Sequence, residues 1–397
     1  MTQSLARPAL VLGLLSCIGP FAIDMYLPAM PAIGADLGTS VQAMQGTITA
    51  YFIAFGLAQL LYGPWADQAG RRPPLYAGIV IFCLGTALCA FAPSIETLMI
   101  GRAIQGFGGA AMMVVPRAII RDLSTGNEAT RLMAAIMLVI SVSPMLAPLA
   151  GAGLLAFTGW RAIFAALLLA ALLAFVLLRL AQPETLAPEH RQRFNVAATF
   201  VGAKRLLTDR GFLSLTFLGA FGMASFFVFL ASAAFVYTET FGLSPTGFSI
   251  AFAVNAVAFI AASQMAAPLG LRLGAVRLMR WATFGFALAT CGLLALALLG
   301  QVGLYTCVIG LALGNACLGM VIPTTMVMAL DDHGDIAGLA SSLGGTLQML
   351  TGGVIIAAMG PFFSASPVPM IAVIALCALA ALLLSRFTRV PQAATSR

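Results

Sequence analysis

The sequence predicts an all-α membrane protein with twelve transmembrane helices arranged as two six-helix bundles. Three observations favour this fold class. First, 61% of the 397 residues are hydrophobic and only 8% are charged, whereas about a quarter of the residues in a soluble domain are charged. Second, the chain divides into twelve apolar runs near the length of about 20 residues that a spanning helix needs. Third, one long polar segment, Gln182 to Arg210, separates six runs from six.

We number the twelve predicted spans in chain order. They cover residues 8–32, 42–66, 73–92, 95–119, 131–156, 161–181, 211–239, 246–270, 276–299, 302–329, 336–361 and 367–387. The first run has no cleavable signal pattern and is longer than the apolar core of a signal peptide, so we keep it as span 1. The predicted organisation is an N-terminal bundle (1–181), a cytoplasmic linker (182–210) and a C-terminal bundle (211–397).

The distribution of basic residues predicts the orientation in the membrane. With a cytoplasmic N-terminus, almost all Lys and Arg residues of the loops and tails lie inside, as the positive-inside rule requires. These residues lie in the loops 67–72, 121–131, 179–210 and 271–280 and in the C-terminal tail. Only Arg161 lies in an extracytoplasmic loop. The net charge of +7 is therefore a consequence of topology, and we expect contact with a lipid bilayer and none with nucleic acid.

Residue types that carry enzyme chemistry form no recognisable pattern. The seven cysteines all fall inside predicted spans and have no CxxC or metal-ligand spacing, so we expect packing roles and no disulfide or metal site. The two histidines, His190 and His333, lie in predicted cytoplasmic loops. No nucleotide-binding loop or Ser/His/Asp set is present. We therefore expect neither an enzyme nor a cofactor.

A polar stretch between spans 2 and 3 occurs twice in the chain. The first copy, GPWADQAGRR, runs from Gly63 to Arg72. At an offset of 204 residues, Pro64 and Gly70 recur as Pro268 and Gly274, while Leu271 replaces Asp67. Such a repeat implies two parallel halves related by an axis along the membrane normal. A receptor has no need of this duplication, which favours a transporter.

The first copy resembles the signature loop of the major facilitator superfamily, Gly-x-Leu-Ala-Asp-Arg-x-Gly-Arg-Arg/Lys, with Trp65 and Gln68 as departures. The resemblance implies a conformational gate, in which Asp67 caps the N-terminus of span 11 and forms a charge relay with Arg71 and Asp122. Gly63 and Gly70 would allow a close approach and a tight turn. A carboxylate at a helix N-terminus contributes about 0.3–2 kcal/mol, enough to bias two conformations without locking either.

Four further stretches resemble one branch of that superfamily. GRAIQGFGGAAMMVVPRAII lies in span 4, and MLAPLAGAGLLAFTGWRAIF in span 5 is similar to the Gly-Pro-x-x-Gly-Gly antiporter motif around Pro148 and Gly151. With DMYLPAMP in span 1 and GLASSLGGTLQ in span 11, the chain resembles the Bcr/CflA-type drug:proton antiporters. The resemblance implies a monomeric exporter in the bacterial inner membrane that exchanges drug-like compounds for protons.

Two charges lie well inside predicted spans, and intramembrane charges are functional candidates because they are costly. Asp24 lies between Pro20 and Pro28, which loosen the helix and free backbone groups. We predict that Asp24 carries the proton. Arg102 cannot lose its own proton usefully, so we predict that it adjusts the proton affinity of Asp24. The alternatives are that Asp24 only caps a broken helix and that Arg102 only binds backbone carbonyls.

A drug-binding cavity needs adaptable apolar walls with a few polar points. The candidates are Tyr26, Tyr51, Phe55, Gln59, Gln105, Met113, Phe226, Phe229, Phe252, Asn255, Asn315 and Gln348. Ordinary packing is the alternative for the aromatic members. The uncharged character of the polar members predicts amphipathic, neutral or weakly charged substrates. The remaining alternative function is a facilitator, importer or exporter of one specific metabolite.

Overall fold

The computed structural model describes residues 6–123, 126–191, 196–331, 333, 336–363 and 366–388. Within these ranges no residue is in a β-strand, and twelve helices are long and apolar enough to cross a membrane. The predicted fold class of twelve transmembrane helices is therefore confirmed. The bounds of spans 2 to 6 are Val41–Ala69, Arg72–Ala90, Ile95–Leu123, Gly126–Thr158 and Arg161–Ala181. Those of spans 7 to 12 are Arg210–Phe235, Pro245–Leu273, Ala275–Leu298, Leu304–Asp331, Ala337–Met359 and Pro367–Ser385.

Span 1 is broken, as its two prolines predict. It consists of the helix Ala6–Asp24, a 3₁₀ turn at Leu27–Ala29 and a short helix at Met30–Asp36. Pro20 lies inside the first piece and Pro28 opens the turn. Because proline cannot donate a backbone hydrogen bond, the regular helix stops between them. Asp24 therefore lies at the end of a helix in the interior of the span.

The two predicted loops around the repeated motif are shorter than expected. Span 2 continues through Asp67 to Ala69, so the loop predicted over 67–72 shrinks to Gly70 and Arg71. The backbone at Gly70 has a φ of 98°, a conformation that favours glycine and ends the helix. Gly274, with a φ of 85°, likewise reduces the predicted loop 271–280 to one residue. Asp67 is consequently a helical residue.

The segment predicted as a polar linker contains a helix, Val196–Thr208. We call it the linker helix. Its Leu206 is fully buried beside Phe212 of span 7, and a Cβ at Gly202 would contact Leu339 of span 11. The burial of this apolar face explains why the segment is helical. The division of the chain into bundles at 182–210 stays a prediction.

We call the end of the molecule that carries Gly70 and the linker helix the linker side, and the end that carries Gly159 the opposite side.

Span 2 contacts the C-terminal half along much of its length. The Gln45 amide donates to Ser232 at 3.2 Å, Phe52 stacks on Phe227 at 4.1 Å, and Thr346 donates to the carbonyl of Gly56 at 2.7 Å.

Candidate functional site

Asp24 is buried at the break in span 1, with 6% of its surface exposed. Span 5 lies directly against this break: a Cβ at Gly151 would collide with the carbonyl oxygen of Met25. Gly151, which belongs to the antiporter-like motif of span 5, therefore lets the two helices approach closely at the break. Among the described residues, no ion pair within 4.0 Å includes Asp24. The carboxylate is therefore available to bind a proton without first breaking a salt bridge.

Arg102 of span 4 is fully buried between two aromatic rings. Its guanidinium carbon lies 4.6 Å from the ring centre of Tyr26 and 4.5 Å from that of Tyr51. Such cation–π contacts stabilise a buried cation by about 0.5–2 kcal/mol each. Arg102 also donates to the Ala22 carbonyl at 2.9 Å and to the side-chain oxygen of Gln105. We call Arg102, Tyr26 and Tyr51 the arginine cage.

The arginine cage differs from the sequence prediction in one respect. Arg102 contacts the backbone two residues before Asp24, but the pair forms no salt bridge within 4.0 Å. The Nε and Nη2 atoms of Arg102 are buried and have no hydrogen-bond partner among the described residues. An unsatisfied buried donor costs about 1–3 kcal/mol, so these two N–H groups have capacity for a further acceptor. Arg102 does bind a backbone carbonyl, that of Ala22. This contact was the alternative to a role in proton coupling in the sequence analysis.

Polar side chains connect the arginine cage to neighbouring spans. Gln105 donates to Thr86 of span 3 at 2.8 Å, and Thr86 donates to the carbonyl of Phe82. The hydroxyl of Tyr26 shares a hydrogen bond of 2.7 Å with Thr47, and that of Tyr51 donates to the Gly19 carbonyl at 3.3 Å. Spans 1 to 4 therefore meet in one buried polar network. Three predicted substrate contacts, Tyr26, Tyr51 and Gln105, are already hydrogen-bonded within it.

The aromatic candidates of the C-terminal half lie together. Phe229 of span 7 stacks on Phe252 of span 8, with ring centres 5.5 Å apart, and Phe226 lies 6.4 Å from Phe229. Phe226 also stacks on Phe259 at 5.9 Å. Phe229 and Phe252 are buried, whereas Phe226 is half-buried. These rings form a continuous apolar wall.

Asn255 and Asn315 bind each other. The Asn315 amide donates to the Asn255 oxygen at 3.0 Å, and the Asn255 amide donates to the Ala251 carbonyl at 3.0 Å. Both side chains are buried. A buried amide in a membrane protein has to find its hydrogen-bond partners within the protein, and these two amides bind each other. The structure thus brings together two predicted substrate contacts that are 60 residues apart in the chain. Each amide already donates a hydrogen bond within the protein, whereas the prediction treated both as free to bind substrate.

The remaining substrate candidates are spread around the interface of the halves. Phe55 stacks on Tyr51 at 5.9 Å, and Gln59 lies against span 11, where a Cβ at Gly345 would collide with its oxygen. Gln348 and Met113 are partly exposed. The Gln348 amide lies near span 7, where it would contact a Cβ at Gly219. No described contact joins Met113 to the polar candidates.

The gate residues of the N-terminal half form an ion cluster on the linker side. Arg71 donates to Asp67 and also to both oxygens of Asp122, at 2.7 and 3.1 Å. Burial disfavours the charged form of Arg71, but the two carboxylates more than offset this effect and raise the pKa of Arg71 above its usual value. The three residues of the predicted relay, Asp67, Arg71 and Asp122, are therefore in direct contact. We call these three residues the gate cluster.

Two linker residues that the sequence reasoning missed complete the gate cluster. The Glu184 carboxylate accepts the backbone N–H groups of Arg71 at 2.8 Å and Arg72 at 3.0 Å, at the start of span 3. The Thr185 hydroxyl donates to Asp122 at 2.9 Å. Partial burial would raise the pKa of Glu184, but backbone N–H groups of Arg72, Arg71, Leu186 and Thr185 hold it below the usual value. We call Glu184 and Thr185 the linker clamp.

Two details of the predicted gate are not seen among the described residues and stay predictions. The N-cap residue of span 11, Ile336, makes no side-chain cap, and Asp67 binds Arg71 with half of its side chain (52%) exposed. The close approach expected at Gly63 is also absent, since a Cβ there would meet open space. At Gly70, by contrast, a Cβ would meet Glu184.

On the opposite side, Pro148 joins the two halves. Its carbonyl accepts the hydroxyl of Ser249 in span 8 at 3.0 Å. Nearby, Arg161 and Trp160 both donate to Asp36 at 3.0 Å, and Arg161 lies over the Trp160 ring. The single extracytoplasmic arginine of the topology prediction therefore has a local partner.

Comparisons with known proteins identify the family. The family model described as Major Facilitator Superfamily matches residues 12–356. The chain belongs to the major facilitator superfamily. It is 31% identical to the bicyclomycin resistance protein homolog of Haemophilus influenzae, over 87% of this chain and 86% of that protein. It is also 31% identical to multidrug resistance protein D of Escherichia coli, over 87% and 86%.

A solved structure shows the same fold. The D-xylose-proton symporter superposes on this chain with a TM-score of 0.76, 17% identity and 96% coverage of both chains. At that identity the likeness concerns the fold alone. Membership of the superfamily establishes a multi-pass membrane transporter of small molecules rather than an enzyme. The motif-based recognition of this family from sequence is confirmed, and relatives named for drug resistance are consistent with its Bcr/CflA type.

Proposed function

We propose that this transporter is a drug:proton antiporter of the bacterial inner membrane. It exports amphipathic, neutral or weakly charged compounds by alternating access and takes up protons in exchange. Relatives named for bicyclomycin and multidrug resistance, aligned over most of the chain, support the drug-export part. The positive-inside pattern supports a cytoplasmic linker side with both termini inside, and the transporter acts as a monomer.

The observation that carries the proton part is the burial of Asp24 without a salt bridge. A charged carboxylate inside a membrane protein is costly unless paired, whereas its protonated form is tolerated. The break in span 1 and the two unpartnered Arg102 donors lie close by. Proton binding to Asp24 therefore changes the charge balance at the place where spans 1, 4 and 5 meet. Because Arg102 contributes a fixed positive charge there, the net charge of this region depends on whether Asp24 is protonated.

Substrate lies between the arginine cage and the aromatic wall of Phe226, Phe229 and Phe252. An apolar wall with few polar points binds varied amphipathic molecules. Gln59, Gln348 and the Asn255–Asn315 pair supply uncharged hydrogen-bonding groups. The gate cluster, the linker clamp and the Pro148 contact then bias which side of the transporter is open.

The decisive experiment is transport by purified protein in vesicles with an imposed pH gradient. Asp24→Asn should abolish uphill, proton-driven movement of a labelled compound while binding of that compound stays measurable. Asp36→Asn makes the same change in the same span at an exposed ion pair (49% exposed) and should retain transport, because exposed pairs contribute at most about 1 kcal/mol.

Three outcomes would contradict the proposal in different ways. Full gradient-driven transport by Asp24→Asn removes Asp24 from the coupling mechanism. Movement of the compound only down its own gradient, at a rate independent of pH, would instead identify a facilitator. Selectivity for a single metabolite over dyes and antibiotics would favour a dedicated metabolite transporter.

A further inference from the structure

Spans 3 and 6 leave an apolar groove on the surface of the N-terminal half. Its volume is about 380 Å³. The walls are Ile79, Cys83 and Ala87 of span 3 and Leu168, Leu172 and Phe175 of span 6. No wall residue carries a charge or a polar group other than the thiol. Leu172 is 49% exposed, so the groove opens outward, where a transmembrane helix meets lipid chains.

Two arginines lie beyond the linker-side end of this groove. Arg72 begins span 3 and Arg179 belongs to the last turn of span 6. The Arg72 guanidinium lies 5.4 Å from the ring centre of Tyr76, donates to the Tyr76 hydroxyl, and reaches the Arg179 carbonyl at 3.5 Å. Tyr76 contacts Phe175 in the groove wall, with ring centres 5.1 Å apart. The two helix ends are therefore joined at the mouth of the groove.

Helical spacing places each arginine on the groove face of its own span. Arg72, Tyr76, Ile79 and Cys83 recur at four, three and four residues in span 3. Arg179, Phe175, Leu172 and Leu168 do the same in the opposite chain direction in span 6. Residues at these spacings share one face of an α-helix. The apolar groove thus continues into a cationic end.

We propose that this groove is a binding site for an anionic phospholipid. One acyl chain lies between spans 3 and 6, and the phosphate is bound by Arg72 and Arg179. A planar guanidinium donates a fork of hydrogen bonds that suits phosphate oxygens. Arg179 is exposed, so its guanidinium is accessible to a headgroup at the mouth of the groove.

Other occupants fit the groove less well. A drug needs polar points for orientation, and the walls have none. A spanning helix of a second copy needs small residues at the contact to approach closely, whereas this groove is edged by exposed leucines, Leu84 at 63% and Leu172 at 49%. A basic site between transmembrane helices at a membrane surface is the arrangement that binds anionic headgroups.

The site lies beside the gate. The backbone N–H of Arg72 binds Glu184 at 3.0 Å, and the preceding residue is Arg71 of the gate cluster. A phosphate that fixes the Arg72 side chain therefore acts on the same turn that the linker clamp fixes through the backbone. Lipid composition should consequently affect the gate even though the lipid does not enter the transport pathway.

The test uses the purified full-length protein and a phosphatidylglycerol with a photoactivatable diazirine in one acyl chain. After irradiation, crosslinked peptides are mapped by mass spectrometry. We expect crosslinks within 79–87 and 168–175, competed by unlabelled phosphatidylglycerol and much less by phosphatidylcholine. Ala87→Phe, which fills the groove, should remove these crosslinks. Ala295→Phe makes the same change at an exposed position of span 9 and should leave them intact.

The headgroup is tested separately from the chain. Arg179→Gln should lower the crosslink yield in the groove about fivefold, the factor that corresponds to about 1 kcal/mol for one arginine at an anionic surface. Arg277→Gln, an exposed arginine at the start of span 9, should not change it. A melting curve for each variant separates loss of binding from loss of fold.

Three results would overturn the proposal. Equal competition by phosphatidylcholine and phosphatidylglycerol would refute the anionic headgroup. Unchanged crosslinks in well-folded Ala87→Phe would refute the groove. Absence of lipid crosslinks within 79–87 and 168–175 of the folded parent protein would refute a lipid occupant. None of these results depends on drug transport, so the proposal can fail while the proposed function stands.

Discussion

Glu184→Gln should loosen the linker clamp while preserving the shape of the side chain. The N–H groups of Arg71 and Arg72 bind different oxygens of the carboxylate, at 2.8 and 3.0 Å. The single oxygen of glutamine can accept only one of them, and the negative charge is lost. Hydrogen bonds to charged groups contribute about 1.5–3 kcal/mol and neutral ones about 0.5–1.5 kcal/mol. One weakened bond and one lost bond therefore cost about 2–4 kcal/mol before screening. Because Glu184 is only partly buried, we expect about 1–2 kcal/mol.

That energy becomes a population change if the clamp forms in only one conformation. A difference of about 1–2 kcal/mol changes a two-state ratio by about 5- to 30-fold. The assay is the rate at which a membrane-impermeant maleimide labels a cysteine introduced at Ser342, near the linker-side end of span 11. Glu189→Gln removes an exposed carboxylate of the same linker and is the matched control. Equal labelling rates in the two variants would refute the clamp as a gate element.

The pH dependence of Glu184 distinguishes the clamp from the proton site. Its folded-state pKa is lowered because backbone N–H groups outweigh the opposing effect of burial. The stabilisation is therefore complete above the unfolded pKa of about 4.3 and is lost as pH falls through the lower folded-state value. Between about pH 5 and 8 the clamp stays ionised. Glu184→Gln should reduce the rate of transport at every pH in this window without moving its midpoint.

Two further predictions concern spans 4 and 5. Gly151→Val should destabilise the protein by about 1–3 kcal/mol, because a Cβ there collides with the Met25 carbonyl. The loss is measured by thermal melting. Gly153→Val is the control and should melt like the parent, because a Cβ at Gly153 meets open space. Arg102→Gln should raise the pH midpoint of transport, because a nearby positive charge favours the ionised form of Asp24, while Arg102→Lys keeps the charge and should retain part of the activity. An unchanged midpoint in both folded variants would reduce Arg102 to a packing role.

Local signals in the sequence predicted the fold and the break in span 1. Twelve apolar runs are visible without tertiary information, and Pro20 and Pro28 act on the backbone of their own helix. The relay of Arg71 with Asp67 and Asp122 followed from a family resemblance. Glu184 was not predicted as a gate residue because it follows span 6 but binds the start of span 3, more than 110 residues away in the chain. No rule of local spacing connects two such positions.

The polar pairs inside the C-terminal half show the same limit. Asn255 and Asn315 each looked like a free hydrogen-bonding point, because a single sequence does not reveal that spans 8 and 10 place them 3.0 Å apart. The linker helix was missed since its helical state depends on burying Leu206 against span 7. Periodicity identifies which residues face inward, but it does not identify their partners.

If Asp24 carries the proton, as proposed, it must be coupled to the gate cluster mechanically rather than by direct electrostatics. Arg102, beside the Asp24 backbone, and Asp122, in the gate cluster, both belong to span 4, and the helix between them is about 30 Å long. Two unit charges at that distance interact by about 0.6 kcal/mol at an effective dielectric constant of about 20, and salt screens them further where they are exposed. This is less than the clamp's own contribution of about 1–2 kcal/mol. In the proposed mechanism, a proton on Asp24 would therefore act at the gate by moving span 4 against its neighbours. Such a movement would be restricted at Gly106, where a Cβ would collide with the Tyr51 carbonyl of span 2.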